Sequence, residues 1–403
     1  MSLEVRQILD MNAFDTSQDS ETTNPLLQRR QQNFGPISVL FYREPLEMVR
    51  ASGCWMEAVD GTRYLDFYNN VPSVGHCHPR VVAAISRQVA TLNINSRYLN
   101  QITEEYLERL KSTMPPKLCN VAMACSGSEA NDLALRVAKR VTGGSGFIVT
   151  QTAYHGNTQA VTEISPSALK QGIPPDNVYL IKAPGKDAYG ENIGQGMAKA
   201  VSRAIRTLKR RGHQLAALIC DSIFSSDGVF ADPPGFLQES VDLVHQAGGL
   251  YIADEVQPGF ARTGEAFWGF GRHLLEPDLV TMGKPMGNGF PMAAMVAPTE
   301  AMAAFCKDVG YFNTFGGTPA AAAAGLAVLE VIEEEKLQEN ALKVGQHLKQ
   351  GLLRLAKKDP RITAVRGAGL FIGIDLGRPE DSHAPAPMLA SAVINGLRDR
   401  QVL

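Results

Sequence analysis

The feature that most constrains this chain is the alternation, through its middle section, of short apolar runs with amphipathic stretches. Four runs have the length and composition of buried strands: GFIVTQTAY, LAALICDSIF, GLYIADEV and PDLVTMGK. Stretches such as QESVDLVHQAGG, with apolar residues at helical spacing, separate or flank them. Strands that alternate with helices favour a mainly parallel sheet covered by helices. The sequence therefore predicts an α/β fold.

Shorter patterns predict elements outside this middle section. Asp60-Gly61 tolerates the positive φ of a tight turn between two extended stretches, so we expect a small antiparallel unit there. Pro79 suits the first turn of a helix. PAAAAAGLAVLEVIEEE, from Pro319 to Glu335, is made almost wholly of strong helix formers. RGAGLFIGIDL predicts a strand, and MLASAVINGLRDRQ predicts a helix that ends with the chain.

Charge and cysteine usage exclude several classes of function. Lys and Arg total 39 against 41 Asp and Glu, so there is no excess positive charge to attract nucleic acid or an anionic membrane. The six cysteines are scattered without a CxxC pair, which favours reduced thiols. The N-terminus lacks a signal-peptide pattern, and no apolar run approaches the roughly 20 residues of a membrane-spanning helix. These features predict a cytoplasmic enzyme with no nucleic-acid or membrane partner.

Three segments carry side chains suited to chemistry at a sheet edge. In CSGSEANDLALRVAKRV, a Ser-Gly-Ser turn before a helix offers backbone N–H groups and the positive end of the helix dipole to a phosphate. The strand in YIADEVQPGFARTG ends in Asp254 and Glu255, at the edge where ligands of α/β sheets bind. Lys284 follows another strand among glycines, where desolvation would lower its pKa. Each segment alone also fits a structural role, as a helix cap, a surface carboxylate or a surface lysine.

Together, a phosphate cradle, a strand-end acid and a strand-end lysine are the parts needed to hold pyridoxal 5'-phosphate (PLP). The lysine would supply the Schiff-base amine, the acid a partner for the pyridinium nitrogen, and the helix start an anchor for the phosphate. No metal site is expected. His76 and His78 resemble a metal pair only in their spacing, since GHCHP fits a turn followed by the start of a helix.

Several motifs, in order, make the chain resemble a known family. They are GHCHP (75–79), SGSEAN (126–131), AYHG (153–156), ADEVQPGFARTG (253–264), TMGKPMGNGFP (281–291), FNTFGG (312–317) and RGAGLFIGID (366–375). Through them the chain, from about Phe34 to its end, resembles the class III aminotransferases of PLP fold type I. The resemblance implies a large domain with a mainly parallel central sheet flanked by helices, and a smaller α+β domain built from the N- and C-terminal segments.

On this basis we predict four segments. Residues 1–26, polar and with little to bury, would form a mobile leader. Residues 27–75 would form the N-terminal part of the small domain, 76–318 the large PLP-binding domain, and 319–403 the linking helices with the C-terminal part of the small domain. The sequence stops at Leu403, before the C-terminal strand with a substrate-carboxylate arginine that aminotransferases of this class usually have.

The resemblance also implies roles for single residues around the cofactor ring. Lys284 would bind the cofactor covalently, and Asp254 would pair with its pyridine nitrogen. Gln257 matches the position that hydrogen-bonds the ring hydroxyl, and Tyr154 matches the aromatic residue that stacks on the ring face. The neighbouring His155 is a candidate general acid, but the resemblance favours a structural role for it.

Other positions concern the cofactor's phosphate and the assembly. Gly127 and Ser128 match the phosphate cup. Thr314 matches a phosphate contact that the family supplies from the other subunit, which implies a homodimer or a dimer of dimers. One departure from the family lies at Asp221, where relatives often have a glutamate that is one methylene longer, so the contact made from this position is open.

Three further sequence segments indicate which reaction, within this family, the chain catalyses. YLDFYNNVPSVGHCHPRVV, LNINSRYLN and VTMGKPMGNGFP give the chain the look of ethanolamine-phosphate and phosphohydroxylysine phospho-lyases. Asn69, Asn70 and Arg97 are candidates to bind a substrate phosphate through charge-assisted hydrogen bonds, although Arg97 suits a surface or interface ion pair equally well. We therefore predict a phospho-lyase that releases phosphate and ammonia from a small phosphorylated amine such as O-phosphoethanolamine. The alternative is an ω- or alanine:glyoxylate-type aminotransferase.

Overall fold

The structure, a computed structural model, describes Phe14 and residues 24–37, 39–169, 173–378 and 381–403. Its helices are α1 (Pro25–Phe34), α2 (Pro79–Thr91), α3 (Gln101–Lys111), α4 (Gly127–Thr142), α5 (Gln159–Glu163), α6 (Lys186–Tyr189), α7 (Ile193–Arg210), α8 (Gln238–Gln246), α9 (Thr299–Cys306), α10 (Pro319–Glu334), α11 (Leu337–Ala356) and α12 (Pro387–Arg398). The structure describes no helix that is both long and apolar enough to cross a membrane.

The strands form one large and two small sheets. They are β1 (Met48–Ser52), β2 (Trp55–Ala58), β3 (Arg63–Leu65), β4 (Asn120–Ala124), β5 (Gly146–Thr150), β6 (Val178–Ile181), β7 (Leu215–Asp221), β8 (Leu250–Asp254), β9 (Leu279–Met282), β10 (Ala293–Ala297), β11 (Ile362–Ala368), β12 (Phe371–Arg378) and β13 (Asp381–Pro385). The small sheets are β1-β2-β3 and β11-β12-β13.

The large sheet has seven strands in the order β4-β10-β9-β8-β7-β5-β6. Strands β5 to β9 run parallel, whereas β10 is antiparallel to both of its neighbours, β4 and β9. Every residue of β5, β7, β9 and β10 is buried. Such continuous burial is typical of strands covered by helices on both faces. The predicted α/β class with a mainly parallel sheet is confirmed.

Strand register places the candidate residues at one edge of this sheet. Asp221, at the end of β7, pairs with Asp254 at the end of β8, and Asp254 pairs with Thr281 of β9. Lys284 follows Thr281 by three residues along the chain. Because the strands are parallel, both acids and the lysine leave the sheet at its carboxyl edge, where α/β proteins bind ligands.

The N-terminal elements follow the local patterns closely. Gly61 has a φ of 85° in the turn between β2 and β3, as the Asp60-Gly61 pair predicts. Pro79 is the first residue of α2, where its missing N–H costs no helical hydrogen bond. The predicted mobile leader, 1–26, lies largely outside the described residues. Within it, the Asn24 side chain accepts hydrogen bonds from the first N–H groups of α1, so helix begins at Pro25.

The C-terminal elements differ from the sequence prediction in two places. RGAGLFIGIDL is divided between β11 and β12, because Gly369, with a φ of 53°, turns the chain between these antiparallel strands. Helix α12 ends at Arg398, and the last residues run beside β3, where Val402 forms a parallel bridge with Leu65. The backbone N–H of Leu403 donates to the Leu65 carbonyl at 3.0 Å. The domain boundaries themselves stay predictions.

Candidate active site

The start of α4 forms a cradle of backbone N–H groups. The Ser126 hydroxyl accepts a hydrogen bond from the Glu129 N–H (3.2 Å), while the Glu129 carboxylate accepts from the N–H groups of Ser126 (3.0 Å) and Cys125 (2.7 Å). This reciprocal capping box fixes the direction of the helix start. The N–H groups of Gly127 and Ser128 belong to the first turn, which has no acceptor inside the helix, so they are free to bind an anion.

Glycines bring this cradle against the strand ends. A Cβ at Gly127 would lie 2.9 Å from a Val256 methyl group, and a Cβ at Gly283 would lie 3.3 Å from the Gly127 Cα. A Cβ at Gly156 would overlap Ser128. Since Val256 is two residues beyond Asp254 and Gly283 precedes Lys284, the cradle, the acid and the lysine belong to one site.

Asp254 is held by hydrogen bonds on both carboxylate oxygens. Its Oδ2 accepts from Asn131 Nδ2 at 3.0 Å and lies 2.7 Å from His155 Nδ1, while its Oδ1 accepts from the Val256 N–H at 3.1 Å. The Asn131 amide oxygen in turn accepts from the Thr281 hydroxyl at 2.6 Å. Asp254 is only 4% exposed, and these donors stabilise a negative charge there. The carboxylate thus has one fixed orientation at the strand end.

His155 contacts Asp254 through one ring nitrogen only. Its Nε2 is buried and has no hydrogen-bond partner within the described residues. The buried Asp227 carboxylate, which accepts from the hydroxyls of Thr150 and Thr152, acts electrostatically on this ring. This arrangement gives His155 the means to orient Asp254, and its structural role stays a prediction.

Lys284 is exposed to solvent but lies in low-dielectric surroundings. Its side chain reaches solvent, yet the surrounding protein lowers the pKa of its ammonium group by desolvation, and the negative charges of Asp254 and Asp221 only partly offset this. Among the described residues, Lys284 has no ion-pair partner. A lowered pKa leaves more of the amine unprotonated at neutral pH, which is what a nucleophile or proton acceptor requires.

The two consecutive acids at the end of β8 have different surroundings. Glu255 is completely buried and accepts from the Ser222 hydroxyl (2.5 Å) and from the N–H groups of Gly269 (2.6 Å) and Phe270 (2.9 Å). It therefore caps the short 3-10 helix Gly269–His273. Complete burial raises the pKa of Glu255 to about 7.

Asp221, the departure from the family pattern, also caps a turn. Its carboxylate accepts from the N–H of Ile223 (2.8 Å) and from the N–H and hydroxyl of Ser225. Burial raises its pKa to about 6, and the neighbouring Asp254 charge acts in the same direction. Both oxygens are thus engaged in the turn that follows β7.

Glu255 predicts a pH-dependent stability. A pKa of about 7 in the folded protein, above the ordinary glutamate value of 4.5, means that the folded state binds the proton more tightly than the unfolded state. The free energy of unfolding should therefore fall as pH rises from about 4.5 through about 7. The Glu255→Gln variant should lose much of this slope, keeping the smaller part due to Asp221. Melting temperatures between pH 5 and 8 check this, and an identical slope in variant and wild type would contradict it.

The ring-contact candidates lie beside this core. Tyr154 is half-buried in the loop after β5, next to His155, and burial raises the pKa of its hydroxyl. Gln257 is three residues beyond Asp254, and its amide oxygen accepts a short hydrogen bond from Asn70 Nδ2. Asn70 thereby brings the N-terminal segment to the site, a contact between residues 187 positions apart.

Three candidates have other surroundings. The Asn69 amide donates to Asp66 at 3.0 Å and remains exposed. The Arg97 guanidinium lies 4.2 Å from the centroid of the Phe312 ring on the protein surface. Thr314 is exposed in the loop before α10. Within a single chain, the structure does not bring these side chains into the group formed by Asp254 and Lys284.

The two histidines of GHCHP bind separate carboxylates. His76 Nε2 lies 2.7 Å from Asp66 Oδ2, and His78 Nε2 lies 3.1 Å from Glu335 Oε1. His78 is also the residue that precedes α2. Each ring has its own structural partner in this turn.

Two residues that matter to the site were missed by the sequence reasoning. Asn131 lies within the quoted motif SGSEAN, and a polar amide on the apolar face of a helix, four residues after Gly127, was the signal available. Arg262 lies within ADEVQPGFARTG, and its Nη2 donates to the Asn70 carbonyl at 3.2 Å. Nothing in its sequence context shows that the guanidinium reaches Asn70.

These residues fit PLP. The anion cradle at Gly127, whose Cβ space is closed by Val256, suits a phosphate group, and Lys284 is an accessible amine without an ion-pair partner in the described chain. The buried carboxylate of Asp254 is at the end of β8, in register with Thr281 of β9. Fold and site together define a PLP-dependent enzyme of fold type I.

Comparison with known proteins supports this assignment to the PLP-dependent enzymes. Residues 42–401 match the family model described as aminotransferase class-III, and the chain belongs to that family, whose cofactor is PLP. It is 40% identical to a Drosophila melanogaster protein named alanine–glyoxylate aminotransferase 2-like, over 96% of this chain and 81% of the relative. It is 36% identical to the Caenorhabditis elegans ethanolamine-phosphate phospho-lyase homolog 1, over 95% and 86% of the two chains.

A solved structure is also similar. The phospholyase from Arthrobacter in complex with phosphoethanolamine is 41% identical and superposes with a TM-score of 0.90. The match covers 94% of this chain and 90% of the Arthrobacter chain. The class III relationship and the use of PLP implied by the sequence motifs are therefore confirmed.

Proposed function

We propose that this protein is a phospho-lyase that eliminates phosphate, with release of ammonia, from a small phosphorylated amine such as O-phosphoethanolamine. The observation that carries the proposal is the similarity to the Arthrobacter phospholyase, which extends over nearly the whole of both chains. That structure is a complex with phosphoethanolamine. The lysine and aspartate geometry supports PLP chemistry in general, and this similarity supports elimination in particular.

We assign the cofactor contacts as follows. Lys284 would hold PLP covalently, Asp254 would face its ring nitrogen, and Gln257 its ring hydroxyl. Tyr154 would lie against the ring face. The phosphate would be bound at the start of α4, by Gly127 and Ser128, with Thr314 added from a second subunit. When bound, PLP supplies an electron-withdrawing ring that stabilises negative charge on the carbon next to the substrate nitrogen.

The chain's own residues then have distinct tasks. The Lys284 amine, kept partly unprotonated by its lowered pKa, accepts the proton from that carbon at Nζ. Asp254 presents a fixed negative charge, oriented by Asn131 and His155, that favours a positively charged ring nitrogen. Elimination also requires a group that binds the leaving phosphate and aligns it with the proton acceptor.

An aminotransferase is the second candidate. The 40% identity to the Drosophila alanine–glyoxylate aminotransferase 2-like protein favours it, and the two reactions share the same lysine and aspartate. They differ in stoichiometry, because transfer of the amino group needs a keto acid as second substrate, whereas elimination of phosphate does not.

Incubation with O-phosphoethanolamine tests the proposal. We expect inorganic phosphate, ammonia and acetaldehyde in equal amounts, with no keto acid added and with the cofactor absorbance restored after the substrate is consumed. The matched control is ethanolamine, which lacks the leaving group. Product formation only in the presence of pyruvate, glyoxylate or 2-oxoglutarate would contradict the lyase and support the aminotransferase.

We also propose a homodimer or a dimer of dimers. The surface around Thr314 exposes several apolar side chains, including Tyr98 (65%), Leu99 (97%) and Phe315 (71%). Exposed apolar groups clustered in this way are typical of association surfaces. Since Thr314 has no place in the site of its own chain, a second copy gives it a function. The cytoplasmic location stays a prediction from the sequence.

Co-expression of two inactive chains tests the shared site. Thr314→Glu places a carboxylate where it would repel the cofactor phosphate of the partner, and Lys284→Ala removes the lysine. If each site combines Lys284 of one chain with Thr314 of the other, mixed dimers contain one intact site. Equal co-expression should then restore about a quarter of wild-type activity, whereas each variant alone stays nearly inactive. No recovery in purified mixed dimers would refute the shared site.

A further inference from the structure

Arg262 is a partly buried cation for which the described chain provides no counter-ion. No carboxylate among the described residues lies within ion-pair distance of its guanidinium. Within the described part of the chain, the guanidinium makes one hydrogen bond, from Nη2 to the Asn70 carbonyl at 3.2 Å. Burial lowers its pKa, and the more distant Asp66 charge only partly offsets that effect. A desolvated guanidinium in this state favours binding an anion.

Another buried arginine shows what full pairing looks like in this fold. The Arg272 side chain is 1% exposed and binds two carboxylates, Asp232 at 2.9 Å and Glu265 at 2.5 Å. Its third contact is the Ala231 carbonyl. The buried guanidinium of Arg272 is thus neutralised by two carboxylates, whereas that of Arg262 has no carboxylate partner among the described residues.

The position of Arg262 is set by its backbone rather than by its side chain. Phe260 and Ala261, directly before it, have φ values of 59° and 64°, so the loop turns sharply at this point. The Ala261 N–H donates to the Phe267 carbonyl at 2.8 Å, and the Arg262 carbonyl accepts from the Leu370 N–H at 3.0 Å. The backbone of Arg262 is thus held on both sides, and the hydrogen bond from Nη2 to the Asn70 carbonyl places the guanidinium beside Asn70.

That place adjoins the candidate active site. Asn70 accepts from Arg262 through its backbone carbonyl and donates to Gln257 through its side-chain amide. Gln257 is only three residues beyond Asp254. The Nε and Nη1 atoms of Arg262 have no hydrogen-bond acceptor in the described chain, and neither is sealed from solvent, so both can donate to a ligand.

We propose that Arg262 binds the phosphate group of the phosphorylated amine substrate. The inference rests on the proposed phospho-lyase function, which requires a cation for a doubly charged leaving group. Lys284 is committed to the cofactor, whereas Arg262 lies beside Asn70 and has no ion-pair partner in the described chain. Two free N–H groups on a planar guanidinium suit a phosphate, which binds arginine in a bidentate manner.

The test compares Arg262→Gln and Arg262→Lys with Arg206→Gln as the matched control, which removes an exposed arginine from α7. With O-phosphoethanolamine, kcat/KM should fall at least about 100-fold in Arg262→Gln and by a smaller factor in Arg262→Lys, which keeps the charge. Arg206→Gln should stay within about threefold of the wild type. Equal losses in the Arg206 and Arg262 variants, or an unchanged KM and kcat in Arg262→Gln, would overturn the proposal.

A binding measurement separates this proposal from the proposed function. The PLP-loaded enzyme is titrated with inorganic phosphate in a calorimeter; in this form the cofactor's own phosphate already fills the cup at the start of α4. The titration should show binding of inorganic phosphate that Arg262→Gln weakens at least about tenfold. If the wild type binds phosphate through Arg262 yet releases none from O-phosphoethanolamine, the function fails and the site stands. If Arg262→Gln does not fold, Arg262→Lys decides, because unchanged phosphate affinity and KM in that variant would overturn the proposal.

Discussion

Lys284→Ala is expected to abolish turnover, with kcat reduced by at least about 10⁴-fold. The variant removes both the amine that joins the cofactor and the base that accepts the substrate proton, and no other lysine of the described chain follows β9 at this edge. The fold should survive, since the Lys284 side chain has no ion-pair partner in the described structure and reaches solvent. Steady-state assays with O-phosphoethanolamine measure the loss.

A second measurement tests whether the loss of turnover comes from the missing lysine and not from a misfolded protein. Borohydride should fix the cofactor permanently to the wild type, so that it stays attached after denaturation, and should fail to do so in Lys284→Ala. The matched control is Lys199→Ala, which removes an exposed lysine from α7 and should keep both activity and cofactor attachment. Turnover above trace level in Lys284→Ala would show that another group acts as the base.

Asp254→Asn is expected to lower kcat by about 10²- to 10³-fold while the protein still binds PLP. The substitution removes the negative charge that would keep the ring nitrogen protonated. It also replaces one carboxylate oxygen with an NH2 group. Since Oδ2 accepts from Asn131 Nδ2 and Oδ1 accepts from the Val256 N–H, either orientation of the amide sets that NH2 group against a donor. Cofactor content, absorbance and kcat, measured on the same preparation, separate a binding defect from a chemical one.

Asp221→Asn is the matched control for this prediction. Asp221 lies beside Asp254 on the neighbouring strand, in register with it, and is similarly buried. Because its oxygens cap the turn at Ile223 and Ser225, its loss should lower the melting temperature and leave turnover near that of the wild type. Equal losses of turnover in the two variants would show that local charge at the sheet edge, and not contact with the cofactor, explains the effect.

The sequence predicted the main elements because local pattern and tertiary context agree there. The buried strands β5, β7, β8 and β9 lie in short apolar runs, and these runs predicted their positions along the chain. The division of RGAGLFIGIDL was missed since Gly369 was taken as part of one strand. Only the packed structure shows that the chain turns there, with Gly369 pressed against the backbone of Thr263, where a Cβ would find no room.

The two acids after β8 illustrate what pattern cannot resolve. Asp254 and Glu255 are adjacent and chemically similar, but successive side chains of a strand leave on opposite sides. One therefore contacts His155 and Asn131, while the other caps a 3-10 helix through Gly269. Motif resemblance selected Asp254 as the functional acid, and the structure supplies the physical reason for Glu255 to have another role.

The sequence by itself determined the fold class, the family and the identity of the candidate lysine and acid, because each depends on short motifs at strand and helix ends. Only the tertiary structure decided which distant groups support them. Asn70 meets Gln257 across 187 positions, Arg262 reaches Asn70, and His155 reaches Asp254 across 99. Such contacts depend on strand order and loop conformation, so no local pattern encodes them. Charge balance follows the same rule, since whether an arginine has a counter-ion is known only once every neighbour is in place.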